Sequence, residues 1–260
     1  LLINPGDRLL VEAPTYVGAL QAFNSYEARY LTVPLDGDGL QVDKLEQELR
    51  SGPKFLYVLP NFHNPAGTTL TVERRNRLVE LASHYGVPIL EDDPYGQLRY
   101  EGEHQPPLVE IDSEYHGERA GKAAAGGRFR GGVIYLSSLS KTLAPGLRIA
   151  WVVAPTDVIG RLVQIKQGAD LHTSTFNQMV AFETARGGFL DHHVKVLRDF
   201  YRQRRDAMLE ALKRFMPDGV EWTRPQGGLF LWLTLPAGDL QKVGAAAILQ
   251  EERDVLRSGG

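Results

Sequence analysis

The chain has 260 residues, 43% of them hydrophobic and 23% charged, with a formal net charge of −3. That suits one large or two modest soluble domains with a real core, and gives no field strong enough to draw nucleic acid or an anionic membrane. The lack of cysteine excludes disulfides, thiol nucleophiles and thiolate-held metals; no apolar run reaches bilayer length and no leader pattern opens the chain, so a cytoplasmic enzyme is the expectation.

In chain order, the opening LLINPGDRLLVEAP reads as if in mid-domain, with Leu1 and Leu2 as the end of a helix and Pro5-Gly6-Asp7 as a turn. A piece of a longer protein is therefore expected. Apolar runs bounded by turn signals predict strands over 8–12, 28–33, 54–59, 87–91, 133–137 and 149–154, with helices over 17–25, 42–50 and 71–85 between them. The third helix is the clearest: Thr71 as N-cap, Glu73 in the first turn, an apolar stripe of Leu78, Leu81, Ala82 and Tyr85, and Gly86 as the stop. Segment 116–132, HGERAGKAAAGGRFRGG, reads as a surface loop, not as an RGG-type nucleic-acid segment. Long helical patterns follow over about 157–186 and 190–215, and VEWTRPQGGLFLWLTLP predicts two short strands around a Pro/Gly turn. Arg202, Arg204 and Arg205 read as a solvated helix face, and the final GAAAILQEERDVLRSGG as a short helix and a tail. The fold class is α/β: a mainly parallel sheet flanked by helices over residues 1–187, then part of an α+β small domain over 188–260.

Three polar clusters directly follow predicted strands: PNFHNPAG at 60–67, EDDPYG at 91–96 and SLSKTLAPGLR at 138–148. In a parallel sheet these places converge on one crevice beyond the carboxyl ends of the strands. Asp92 or Asp93 brings a carboxylate, Tyr95 a phenol, Asn64 an amide, and Ser138, Ser140, Lys141 and Arg148 bring hydroxyls and two cations. Hydroxyls and a guanidinium suit a phosphate, a carboxylate suits a cationic ring nitrogen, a phenol and an amide suit a ring oxygen, and a lysine suits a covalent bond to a carbonyl. The ligand that wants all of these is pyridoxal 5′-phosphate.

NPAG, DDPYG and SLSKTLAPGLRIAW, in this order and at this spacing, resemble the fold-type I, class I/II aminotransferases, and within them the branch of 2-aminoadipate, kynurenine and aromatic or multi-substrate enzymes. PTY at 14–16, KQGADLHTSTFNQ at 166–178, YRQRRDAMLEAL at 201–212 and PQGGLFLW at 225–232 extend the likeness to about residue 236. The resemblance implies that Lys141 binds the cofactor covalently and serves as general acid and base. It implies that Asp92, three residues before the tyrosine, pairs with the ring nitrogen, and that Tyr95 and Asn64 hold the ring 3′-oxygen. Tyr16 would stack on the ring, Ser138, Ser140 and Arg148 would grip the phosphate, and Phe230, with Asn64, would face the substrate. It further implies transamination between an L-amino acid (2-aminoadipate, aromatic or branched-chain) and a 2-oxo acid such as 2-oxoglutarate, by a homodimer of the complete protein.

The chain departs from that pattern at both ends. The family's first phosphate-binding loop is expected just before residue 1, and neither Arg253 nor Arg257 has the surroundings of the family's carboxylate-binding arginine. The plainer readings are core packing for Tyr16 and Phe230, a turn cap for Ser138 and a magnesium site at Asp92 and Asp93. No histidine spacing fits zinc, and His63 and His172 read as structural. The rival functions are an effector-binding domain of a transcriptional regulator, a β-lyase of the same fold, and an inactive remnant.

Overall fold

A computed structural model describes residues 1–120 and 131–236. Strand β1 (Arg8–Ala13) leads through helix α1 (Val17–Asn24) to β2 (Arg29–Asp36) and a two-residue β3 (Gly39–Leu40). After α2 (Leu45–Arg50) come β4 (Leu56–Val58), α3 (Val72–Tyr85), β5 (Ile89–Asp92), α4 (Leu108–Ala120), β6 (Val133–Ser138) and β7 (Ala150–Val153). Helices α5 (Thr156–Asp170), α6 (Thr175–Ala185) and α7 (Phe189–Phe215) follow, and β8 (Glu221–Trp222) and β9 (Leu233–Thr234) form a separate antiparallel pair.

The seven-stranded sheet has the order β3-β2-β1-β4-β5-β6-β7. From β2 to β6 every pairing is parallel; β3 and β7 are antiparallel edges. Because β2 lies to one side of β1 and β4 onward to the other, the winding reverses between β1 and β4. That reversal opens a crevice at the carboxyl ends of the strands.

Period-two alternation divides the core. Leu10, Leu56, Val58, Ile89 and Val133 face one side, under Leu45 and Leu49 of α2, Leu78, Val79 and Ala82 of α3, and Leu108 and Ile111 of α4. Leu9, Val11, Tyr57 and Leu59 face the other, against Phe23 of α1 and Phe55. Leu78 and Val79 are at most 1% exposed, so each contributes about 1.5–3 kcal/mol by leaving water. The predicted caps of α3 form: the Thr71 hydroxyl accepts the Arg74 N–H at 3.4 Å, and Gly86 adopts the left-handed conformation, φ 65°.

Three expectations change, and a fourth lies outside the described residues. The loop assigned to 116–132 begins inside α4, which runs to Ala120; residues 121–130 lie outside the described residues. Two buried carboxylates anchor that helix. Glu91 accepts the N–H groups of Leu108 and Val109 at 2.8 and 3.0 Å, and Asp112 accepts that of Val133 at 3.0 Å. The single helical pattern over 157–186 breaks at Leu171 (φ 65°), and Ser174 starts α6 by accepting the Asn177 N–H at 3.4 Å. Arg205 does not belong to a solvated face: it is 6% exposed, donates to Pro225 O at 2.8 Å and pairs with Glu101 at 2.6 Å, while Arg202 and Arg204 stay outside. The predicted terminal helix, with Arg253 and Arg257, lies outside the described residues.

Candidate active site

Tyr16 follows the carboxyl end of β1, Asn64 that of β4, Asp92 closes β5, and Lys141 lies three residues past β6. The antiparallel turn into β7 pairs Ser138 with Ala150 and returns Arg148 to the same end of the sheet. The parallel register thus gathers the predicted residues on one rim.

Asp92 is the best-defined member. The Tyr57 hydroxyl donates to its Oδ2 at 2.7 Å from the neighbouring strand. Burial raises the Asp92 pKa, the Asp93 charge adds to the rise, and the Tyr57 bond opposes it. Burial beside Asp92 also pushes the Tyr57 phenol up, which keeps it a donor. Among the described residues, no cation pairs with Asp92 and no second donor reaches it. Asp93, next in the chain, points away: its carboxylate accepts the Gly96 N–H at 2.8 Å and the Tyr135 hydroxyl at 3.3 Å. The two carboxylates therefore do not face one ligand, and among the described residues no group of acidic or imidazole side chains is arranged to hold a metal.

Asn64 Nδ2 lies 3.5 Å from the Tyr95 hydroxyl, at the long limit of a hydrogen bond. Burial pushes the Tyr95 phenol up to about 12, and both Asp92 and Tyr16 lie near enough to add to that rise. Tyr16 stays 39% exposed, with its ring packed beside Gly18. The Phe230 ring meets Tyr95 edge to face, with centroids 5.6 Å apart and planes at 82°. Gly227 and Gly228 make that approach possible. A Cβ on Gly227 would stand 2.4 Å from Leu98 O, and one on Gly228 would stand 2.3 Å from the Phe62 Cβ. The strap 226–228 can therefore pair with 98–101, through Gly228 N–H to Leu98 O at 2.9 Å and Tyr100 N–H to Gln226 O at 2.7 Å.

On the β6 side, Ser138 Oγ accepts the Ser140 N–H at 3.3 Å, so this hydroxyl does cap its turn. Leu143 and Ala144 both donate to Leu139 O, forming the turn that carries Lys141. No hydrogen bond or ion pair joins Lys141 to another described residue. Arg148 takes a left-handed conformation (φ 54°), lies exposed and donates to Pro145 O at 3.2 Å.

Sequence reasoning missed Tyr57, because a tyrosine within a buried strand run looks like core. It also missed Glu12, which accepts the Leu59 N–H at 2.8 Å and lies 3.3 Å from His63 Nε2, out of line for a hydrogen bond. His63 is 1% exposed and accepts the Ala66 N–H on Nδ1, so it shapes the turn that presents Asn64.

The donor set fits pyridoxal 5′-phosphate. A buried carboxylate without a cationic partner suits a ring N–H, an amide beside a phenol suits a ring oxygen, and a primary amine with hydroxyls and a guanidinium on the next rim suits an aldehyde and a phosphate.

A family model for aminotransferase class I and II matches residues 1–260. The chain is 48% identical over 244 residues to aromatic-amino-acid aminotransferase 1 of Thermococcus litoralis, covering 92% of this chain and 55% of that protein. It superposes on the multiple substrate aminotransferase of Thermococcus profundus with a TM-score of 0.82 at 45% identity, covering 91% of this chain and 56% of the other. It superposes equally, TM-score 0.82 at 42% identity, on the α-aminoadipate aminotransferase of Thermus thermophilus complexed with N-(5′-phosphopyridoxyl)-L-leucine, covering 91% and 58%. The chain thus spans little more than half the length of the proteins it matches.

Proposed function

We propose, for a chain that belongs to the class I and II aminotransferases, that it forms the cofactor-binding part of an enzyme moving an amino group between an L-amino acid and a 2-oxo acid. The names of its relatives favour aromatic amino acids and 2-aminoadipate as donors; 2-oxoglutarate as the acceptor rests on the sequence resemblance to the family. The complete protein works as a cytoplasmic homodimer, with residues 1–187 in its large domain and 188–260 in its small one.

When bound, pyridoxal 5′-phosphate supplies an electron sink for the charge left at the substrate Cα. Asp92, held on one oxygen by Tyr57, accepts the ring N–H and keeps that nitrogen protonated. Tyr95 and Asn64 hold the 3′-oxygen, and Asn64 also faces the substrate. Tyr16 covers one face of the ring. Ser138, Ser140 and Arg148 hold the phosphate. The Lys141 amine, which anchors the cofactor at rest, takes the proton from the substrate Cα. Phe230 packs on Tyr95 and forms a wall of the substrate pocket.

The Asp92 carboxylate carries this reading: it is pushed up by burial, bonded by Tyr57, close to Tyr95, and has no cation of its own among the described residues. The test is to add pyridoxal 5′-phosphate and record the visible spectrum, then to assay oxo-acid formation from aromatic amino acids and from 2-aminoadipate. A band that disappears in Lys141→Ala and shifts when an amino acid is added supports the reading. A folded protein that acquires no lysine-dependent band refutes it.

A further inference from the structure

Behind the rim lies a polar chain that no cofactor contact explains. Arg75, in the second turn of α3, is 0% exposed. Its guanidinium donates to Leu70 O at 2.8 Å, Pro106 O at 3.0 Å, Pro60 O at 2.9 Å and Asn61 Oδ1 at 2.7 Å. A buried cation that meets only neutral oxygens is costly, and four well-made hydrogen bonds are what allow it to remain. Asn61, 4% exposed, passes the contact on: its side chain lies close enough to the Asp93 carboxylate to favour the charged form. Asp93 in turn accepts from Gly96 N–H and from the Tyr135 hydroxyl, while its carbonyl accepts the Ser137 hydroxyl at 2.8 Å.

The ends of this chain of contacts are informative. Pro60 and Asn61 begin the segment that presents Asn64. Asp93 and Gly96 bracket the turn that presents Tyr95, with Asp92 one residue before it. Tyr135 and Ser137 belong to the strand that leads to Ser138, Ser140 and Lys141. Three strand-end segments, far apart in the sequence, are tied to one guanidinium through one amide and one carboxylate.

We infer that Arg75, Asn61 and Asp93 are positioning residues, a buried brace that fixes the mutual positions of the cofactor-facing Asn64, Asp92 and Tyr95. This rests on the function proposed above for the rim. None of the three touches the crevice chemistry directly: Arg75 and Asn61 act through Asp93, and Asp93 acts through the turn it closes. Adjacent Asp92 and Asp93 thereby divide the work, one facing the ligand and the other facing the scaffold. Supporting groups of this kind typically matter because a small misplacement of the contacting groups weakens binding strongly.

Asn61→Ala is the informative variant, since Arg75 keeps its three carbonyl partners. Val79→Ala, in the same helix but in the apolar core, serves as a control for general destabilisation. Two quantities are measured for each: amide hydrogen exchange at Gly96 in the ligand-free protein, and affinity for pyridoxal 5′-phosphate by absorbance titration. With a brace, Asn61→Ala accelerates Gly96 exchange and weakens cofactor binding about tenfold or more, with a displaced absorption maximum. Val79→Ala, at a comparable loss of melting temperature, does neither. Equal exchange and equal affinity in the two variants would overturn the brace. A wild-type protein that takes up no cofactor, while Gly96 exchange still rises in Asn61→Ala, would remove the proposed function and leave the brace supported.

Discussion

Tyr57 and Asp92 lie on adjacent parallel strands, and the tyrosine hydroxyl donates to Asp92 Oδ2 at 2.7 Å. The bond draws the Asp92 pKa down against the burial that raises it. Removing it in Tyr57→Phe therefore lets that pKa climb, so the carboxylate protonates at a higher pH. Affinity for pyridoxal 5′-phosphate, measured against pH, should fail earlier on the acidic side in Tyr57→Phe than in the wild type. Coincident acidic limbs would show that Tyr57 does not tune Asp92.

The edge-to-face contact between Phe230 and Tyr95 joins the second antiparallel unit to the rim. Such a contact is worth about 0.5–1.5 kcal/mol beyond its buried area. Phe230→Ala should raise KM for aromatic amino acids by about fivefold, and leave cofactor affinity nearly unchanged. Steady-state kinetics with an aromatic and a small aliphatic donor, alongside a cofactor titration, separate these effects.

Gly228, with φ 71°, sits where a Cβ would press on Phe62 at 2.3 Å. Gly228→Ala adds both backbone strain and a clash. Thermal unfolding should show a drop corresponding to about 1–3 kcal/mol, together with faster proteolysis within 225–236. An unchanged melting temperature would mean that the strap relaxes freely.

Glu101 receives hydrogen bonds from Arg205 at 2.6 Å and from Arg224 at 2.9 Å. The Arg205 bond first, then that of Arg224, hold its pKa at about 2, below its ordinary 4.5. Because the folded value is the lower one, the contribution is complete above pH 4.5 and disappears as pH falls toward 2. Glu101→Gln should flatten the fall of melting temperature across that window. The carboxylate is 35% exposed, so salt should reduce the difference. A variant with the wild-type acid profile would count against the pair.

The main strands of the sheet, the caps of α3 and the grouping of Asn64, Asp92, Tyr95, Ser138 and Lys141 at strand ends were readable from the sequence, whereas helix α4 was not. They rest on local signals: hydrophobic period, Gly and Pro punctuation, and polar residues placed immediately after apolar runs. The choice of Asp92 over Asp93 rests on resemblance to a family motif; what the packing adds is that Asp93 meets Tyr135 and Gly96 while Asp92 meets Tyr57. Tyr57, Arg75 and Arg205 were beyond sequence reasoning. Each has a local pattern that suits core or surface equally well, and each takes its role from a partner 14 to 104 positions away. Periodicity determines which face of an element is apolar; which distant polar group meets a given side chain on that face is decided only when the layers close.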